Sequence, residues 1–72
     1  MSQGMEAVGA RIKYLRERYG ITQEEIAKEF FLAGGSSVVC KYEQGKRDLP
    51  LDLVVAYSRK FDVSTDWILK GA

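Results

Sequence analysis

The chain has 72 residues, which is enough for one domain and no more. Its composition, 46% hydrophobic and 29% charged with a net charge of +1, is that of an ordinary globular protein and marks no strongly basic or acidic chain. A single cysteine excludes an internal disulfide, and the absence of histidine argues against a zinc site.

The same sequence argues against a membrane or secreted protein. No apolar run approaches the roughly 20 residues that span a bilayer. The first residues lack the basic segment and apolar stretch of a signal peptide. We therefore expect one domain over residues 1–72, with residues 1–5 disordered, in a reducing cytoplasm.

The first two helices are indicated by apolar spacing and by residues typical of helix ends. Apolar residues within 6–19 recur at spacings of four, three and four, and they are Val8, Ile12, Leu15 and Tyr19. Gly20 is expected to end this helix. Thr22 with Glu25 three residues later forms a capping box that starts the second helix. Its expected inner face consists of Ile26, Ala27 and Phe30.

A third helix is predicted after an apolar and glycine-bearing break at residues 31–35. Gly35 or Ser36 can cap it, Glu43 is its approximate end, and Gly45 stops it. Val39 and Tyr42 are expected to point inward. The opposite side carries Ser36, Ser37 and Lys41.

Two more helices complete the predicted fold. Pro50 suits the entry to a fourth helix, whose expected buried residues are Leu53, Val54, Tyr57 and Phe61. Ser64 is expected to cap a short fifth helix that contains Trp67 and ends at Gly71. Because no segment alternates as a strand does, the sequence predicts an all-α fold of five short helices.

Three segments carry a resemblance to a known family. GITQEEIA, VVCKYEQGKRDLP and FDVSTDWILKG resemble the lambda-repressor-like (Cro/cI-type, XRE) helix-turn-helix family, over nearly the whole chain from Arg11 to Gly71. The resemblance implies a compact five-helix DNA-binding domain in which helices two and three form the helix-turn-helix. The pairing of ITQEEIA with YEQGKR is specific, although either segment alone would be weak.

In that family the start of the third helix lies at base edges in the major groove. The residues implied for base contact are Ser36, Ser37, Val38 and Lys41. A serine hydroxyl can donate or accept, lysine can reach guanine, and valine can touch a thymine methyl. The alternative for Ser36 and Ser37 is that they only cap the helix.

Phosphate contacts are implied at the first turn of helix two and after helix three. These residues are Gln23, Gln44, Lys46 and Arg47. Unpaired N–H groups at a helix start and flexible cations both suit phosphate oxygens. The alternative is that these are solvated surface side chains. The family also pairs an arginine of helix one with a glutamate after the helix-three aromatic, which implies a structural ion pair between Arg16 and Glu43.

The resemblance also implies a dimer. The C-terminal helix of the family frequently dimerises, so the implied dimer contacts are Ile68 and Leu69, while Trp67 is expected in the core. Cys40 is expected to be packing rather than a redox site.

The chain departs from the family between Gln23 and YEQGK, where it is two residues longer than the usual pattern. Phe31, Leu32, Ala33 and Gly34 replace a tight turn of the form glycine–hydrophobic. Either helix two continues by half a turn or the turn bulges outward.

We therefore interpret the chain as a sequence-specific double-stranded DNA-binding transcriptional regulator, a homodimer and a repressor. No nucleophile with a neighbouring base is evident, so we expect no enzyme activity, catalytic residue, cofactor, metal or small-molecule ligand. The alternative is a protein-interaction module, of the antitoxin or regulatory-partner type, without specific DNA binding. A positive surface around helix three would favour DNA, and an apolar surface would favour a protein.

Overall fold

The computed structural model describes residues 4–72 and contains five α-helices. They are α1 (Met5–Arg18), α2 (Gln23–Glu29), α3 (Ser36–Gln44), α4 (Leu51–Phe61) and α5 (Thr65–Lys70). No strand occurs in this part of the chain, and the predicted all-α class is confirmed. Of the residues expected to be disordered, 1–3 lie outside the described range and Met5 is the first residue of α1.

Two of the predicted helix caps, at Thr22 and Ser64, are confirmed as side-chain caps. The Thr22 hydroxyl accepts the Glu25 N–H at 3.1 Å, and the Glu25 carboxylate accepts the Thr22 N–H at 2.8 Å. These two hydrogen bonds satisfy donors that a helix start leaves unpaired, and the bond from the Thr22 backbone lowers the pKa of Glu25. At α5 the Ser64 hydroxyl accepts the Trp67 N–H at 2.9 Å. Local sequence therefore determines where α2 and α5 begin.

Each of the five helices is followed by a left-handed residue, and after α1, α2, α3 and α4 the next N–H bonds back five positions. These bonds join Ile21 to Arg16, Leu32 to Ala27, Lys46 to Lys41 and Val63 to Ser58, at 2.9–3.1 Å. The left-handed residues after these four helices are Gly20, Phe31, Gly45 and Asp62, and Gly71 follows α5. Phe31 is the exception among them, because this conformation costs a residue with a bulky side chain about 1–2 kcal/mol.

The core contains apolar side chains from all five helices. Its buried members are Val8, Ile12, Leu15, Ile26, Ala27, Val38, Val39, Tyr42, Leu49, Leu53, Val54, Tyr57, Phe61 and Ile68. Tyr19 was expected in the inner stripe of α1, but it is 58% exposed. It lies one residue past the helix, and its ring packs beside Phe61 with 5.4 Å between centroids.

Helix α1 lies directly against the backbone of α3. Gly9 is buried, and a Cβ atom added to it would come closer than 3.0 Å to the carbonyl oxygens of Tyr42 and Glu43. Only glycine leaves room for this crossing. The contact positions α3 relative to α1, and sequence reasoning had not identified it.

Helix α5 is attached to α1 by polar and aromatic contacts. Arg11 donates from Nη1 to the carbonyl oxygen of Ile68 at 3.1 Å. The half-buried Trp67 lies beside Tyr14, with 6.2 Å between ring centroids. None of the helices in residues 4–72 combines the length and the hydropathy needed to cross a membrane.

Candidate nucleic-acid interface

The outer face of α3 is polar and exposed. Its exposed side chains are Ser36, Ser37, Lys41 and Gln44, whereas Val39 and Tyr42 are buried as predicted. Gly35 occupies the N-cap position, and α3 has no side-chain cap. The alternative role of the two serines as caps is therefore wrong, and both hydroxyls lie at the surface of the first turn.

The predicted base contact by Val38 does not fit the structure. Its side chain is only 8% exposed and belongs to the core. Val38 lies four residues before Tyr42 and shares its inward face. The turn also covers it, since a Cβ atom at Gly34 would lie 2.8 Å from the Val38 Cβ.

Three cations adjoin this polar face. Lys41 lies on α3, and Lys46 and Arg47 follow directly after Gly45. All three are exposed, and none forms an ion pair with a carboxylate within the described residues 4–72. The left-handed Gly45 and the bond from the Lys46 N–H to the Lys41 carbonyl oxygen, at 3.0 Å, hold the loop against the end of α3. The result is positive charge without a direct ion pair beside an exposed polar helix.

A buried ion pair lies beneath this surface. Arg16 of α1 donates from Nε to Glu43 Oε2 at 2.7 Å and from Nη2 to Glu43 Oε1 at 3.0 Å. The two side chains are 11% and 3% exposed, and the bond to Glu43 raises the pKa of Arg16. Arg16 Nη1 also donates to the Ile21 carbonyl oxygen at 2.9 Å. The implied ion pair is thus present in its bidentate form, the strong geometry for guanidinium and carboxylate.

Gln23 is the third member of this cluster, which sequence reasoning had not recognised. Its Nε2 donates to Glu43 Oε1 at 2.9 Å. Glu43 therefore bonds to α1 through Arg16 and to α2 through Gln23. The predicted phosphate contact of Gln23 stays a prediction, and its side chain is half-buried rather than fully solvated.

The turn between α2 and α3 resolves the two alternatives left by the longer sequence. Helix α2 ends at Glu29 instead of continuing, so the extra residues lengthen the turn over 30–35. Phe31 takes the left-handed position, with φ of 55°, and Leu32 is the half-buried residue after it. The glycine–hydrophobic turn of the family is thus replaced by Phe31–Leu32, followed by additional residues before α3.

At the other end of the molecule, the predicted dimer contact by Ile68 does not fit. Ile68 is 0% exposed because it closes the core beneath α5. Leu69 is half-buried and retains some exposed surface. Cys40 on α3 is a half-buried free thiol.

Comparisons with known proteins agree with this arrangement. The chain is 33% identical over 63 residues to the HTH-type transcriptional regulator ImmR of Bacillus subtilis (strain 168), covering 88% of this chain and 48% of that protein. It is 36% identical over 59 residues to the uncharacterized HTH-type transcriptional regulator YobD of the same organism, covering 82% and 51%. The chain therefore spans about half the length of these relatives. No protein-family model matches it.

Solved structures with the same fold include two of the DNA-binding domain of BldD. One superposes with a TM-score of 0.75 at 19% identity, covering 96% of this chain and 97% of the other. The second, from S. venezulae, also gives 0.75 at 19%, covering 94% and 99%. At this identity the likeness establishes the fold alone.

Proposed function

The chain belongs to the lambda-repressor-like helix-turn-helix family, and we propose that it is a transcriptional regulator that binds double-stranded DNA with α3 in the major groove. The names of its relatives support regulation of transcription. The observation that carries the proposal is the group of exposed cations without ion pairs, Lys41, Lys46 and Arg47, around the polar face of α3.

The roles of individual residues follow from their position on this surface. Ser36, Ser37 and Lys41 are exposed on α3 and have the chemistry to contact base edges. The proposed phosphate contacts are Gln23, Gln44, Lys46 and Arg47. Phosphate contacts supply affinity and orientation, whereas the residues on α3 supply specificity. The buried hydrogen bonds that Glu43 accepts from Arg16 and Gln23 hold α3 against α1 and α2.

We extend the proposal to a homodimer that acts as a repressor. One protomer offers few base contacts, and a two-fold pair would place two recognition helices about one turn of DNA apart. With Ile68 buried, Leu69 is the predicted contact that remains at the surface. The working location is the cytoplasm, and the proposed activity is binding without catalysis.

The charge of the surface favours DNA over a protein-interaction module. Large exposed apolar residues among those described are Tyr14, Tyr19, Phe31 and Leu51. Only Phe31 lies in the turn that leads into α3; the exposed side of the helix itself is polar and positive. A protein-docking face would carry a contiguous apolar patch there.

Paired charge-removal variants test the proposal. When the logarithm of the binding constant is plotted against the logarithm of the salt concentration, the slope should be about −0.9 for each phosphate that the protein neutralises. We expect Lys46→Ala with Arg47→Ala to weaken binding to all duplex sequences and to reduce the slope by about 1.8 per protomer. The matched control is Arg59→Ala with Lys70→Ala, which removes the same charge from exposed positions on α4 and α5.

The readout is fluorescence anisotropy with labelled duplexes between roughly 50 and 200 mM salt. The proposal would be contradicted if the DNA affinity of the wild type did not change with salt concentration. If the test and control variants lost DNA affinity equally, the net charge of the protein, rather than this surface, would be responsible for binding.

A further inference from the structure

Phe31 presents an aromatic ring that no part of the described fold uses. The ring is 93% exposed. The other two phenylalanines, Phe30 and Phe61, pack against Tyr57 with centroid distances of 5.0 and 6.1 Å. The left-handed backbone at Phe31, with φ of 55°, would suit glycine better. Neither packing nor backbone geometry therefore explains a phenylalanine at this position.

The ring nevertheless projects from a well-fixed backbone. The Phe31 N–H bonds to the Lys28 carbonyl oxygen at 3.3 Å, and the Leu32 N–H bonds to the Ala27 carbonyl oxygen at 2.9 Å. Leu32 packs against the core, and its carbonyl oxygen accepts the Gly35 N–H at 3.1 Å. The direction of the Phe31 Cα–Cβ bond is therefore set before any partner binds, which lowers the entropy lost on binding.

The position of Phe31 joins it to the surface proposed to contact DNA. Phe31 borders a groove that is also lined by Gly35 and Ser36. Ser36 and Glu24 in turn line the neighbouring groove, which contains Gln23. The exposed ring therefore lies on the same side of the molecule as Ser36, next to the first turn of α3.

The size of the exposed apolar group indicates what it can contact. A phenylalanine buries about 150–250 Å², whereas a stable protein interface needs roughly 800 Å² from each partner. The neighbouring exposed residues, Ala33 and Gly34, add little apolar surface. One ring is too small for a protein interface but is the right size for one base. The apolar group that a base pair presents in the major groove is the thymine C5 methyl.

We propose that Phe31 is a specificity-determining residue whose ring contacts a thymine methyl beside the base pairs contacted through Ser36 and Ser37. The inference rests on the proposed DNA binding of α3. It gives the long turn a function: the turn extends the recognition surface beyond the helix.

The test combines a side-chain deletion with a methyl deletion. A selection from random duplexes first identifies the sequence that the wild-type protein prefers. Each thymine in that sequence is then replaced by deoxyuridine, which lacks only the methyl group. For the wild type we expect one replacement in a half-site to lower affinity about fourfold, the factor for one buried methyl group.

Phe31→Gly should bind the original duplex correspondingly more weakly and should no longer distinguish thymine from deoxyuridine at that position. Its salt dependence should match that of the wild type, because no phosphate contact is lost. Its melting temperature should be at least as high, since glycine suits the left-handed backbone. The control Tyr14→Ala removes another exposed aromatic ring, on α1, and should leave both affinity and methyl dependence unchanged.

Two results would overturn the inference while leaving DNA binding intact. Phe31→Gly could retain the same methyl dependence at every thymine, or it could bind DNA normally and lose only a complex with another protein. A wild-type protein that binds no duplex would instead refute the proposed function itself, and that outcome is visible before any Phe31 variant is made.

Discussion

Replacing Gly9 with alanine tests whether α1 lies directly against the backbone of α3. The alanine would favour the helix by about 1 kcal/mol through its intrinsic propensity. Against this, its Cβ would come within 3.0 Å of two backbone carbonyl oxygens, where ordinary contact begins at 3.4 Å. Backbone atoms of a helix cannot rotate away, so the overpacking penalty should reach about 3 kcal/mol, the upper end of its usual range.

The expected net result for Gly9→Ala is a free energy of unfolding lower by about 2 kcal/mol. This is a large part of the roughly 4–11 kcal/mol available to a chain of this size. The melting temperature should fall by about 8–16 °C, measured by circular dichroism and checked by urea denaturation. DNA affinity should fall as well, because the displaced residues include Glu43, which holds the cluster beneath α3.

Gly4→Ala is the matched control for this prediction. A Cβ at Gly4 would meet nothing within 4 Å. Its unfolding free energy should change by less than about 1 kcal/mol, the effect of altering a helix cap. The reasoning would be refuted if Gly9→Ala proved as stable as the wild type, since the overpacking penalty would then do no more than cancel the intrinsic gain of about 1 kcal/mol.

The remaining predictions concern three polar sites: the Tyr57 hydroxyl, the Glu43 carboxylate and the cap formed by Thr22 and Glu25. The buried Tyr57 hydroxyl has no hydrogen-bond partner among the described residues. Tyr57→Phe should therefore raise the unfolding free energy, measured by urea denaturation, by about 1 kcal/mol. A lower unfolding free energy would show that the hydroxyl does form a hydrogen bond. Burial also raises the pKa of Tyr57, so wild-type stability should decline as pH rises above about 10, and the stability of the Tyr57→Phe variant should decline less. Glu43→Gln leaves the buried Arg16 with only the exposed Glu17 carboxylate, at 4.0 Å, as a counter-charge and should lower the unfolding free energy by about 3 kcal/mol, whereas unchanged stability would contradict the ion pair. Thr22→Ala should lower stability by about 1 kcal/mol. Because the Thr22 N–H lowers the pKa of Glu25, wild-type stability should fall more steeply than that of Glu25→Gln as pH drops below about 4.5, and parallel acid titrations would refute this.

The parts of the fold that could be predicted depend on residues close together in the chain. The capping box of Thr22 and Glu25 spans three residues, and the left-handed Gly45 ends α3 within its own last turn. The inward direction of Val39 and Tyr42 follows from helical periodicity alone. Such features are fixed by local stereochemistry, so the sequence is sufficient to predict them.

The parts that could not be predicted depend on how the helices cross. Val38 was assigned to the recognition surface, but the lengthened turn and the inner face of α3 bury it. Ile68 was assigned to a dimer contact, but it completes the core. Gly9 contacts residues more than thirty positions away, and no local pattern distinguishes it from a glycine that merely weakens a helix.

The bonds of Glu43 connect the stability of the fold to its proposed recognition. Apolar packing holds helices together but tolerates small rotations, whereas a bidentate bond fixes direction as well as distance. Glu43 accepts such a pair from Arg16 of α1 and a further bond from Gln23 at the start of α2. The proposed phosphate contact at Gln23 and the proposed base contacts on α3 are therefore held in one register by a single carboxylate. A protein that identifies DNA by a few side chains on one short helix needs that register more than it needs additional contacts, because a small rotation of α3 would displace every one of them together.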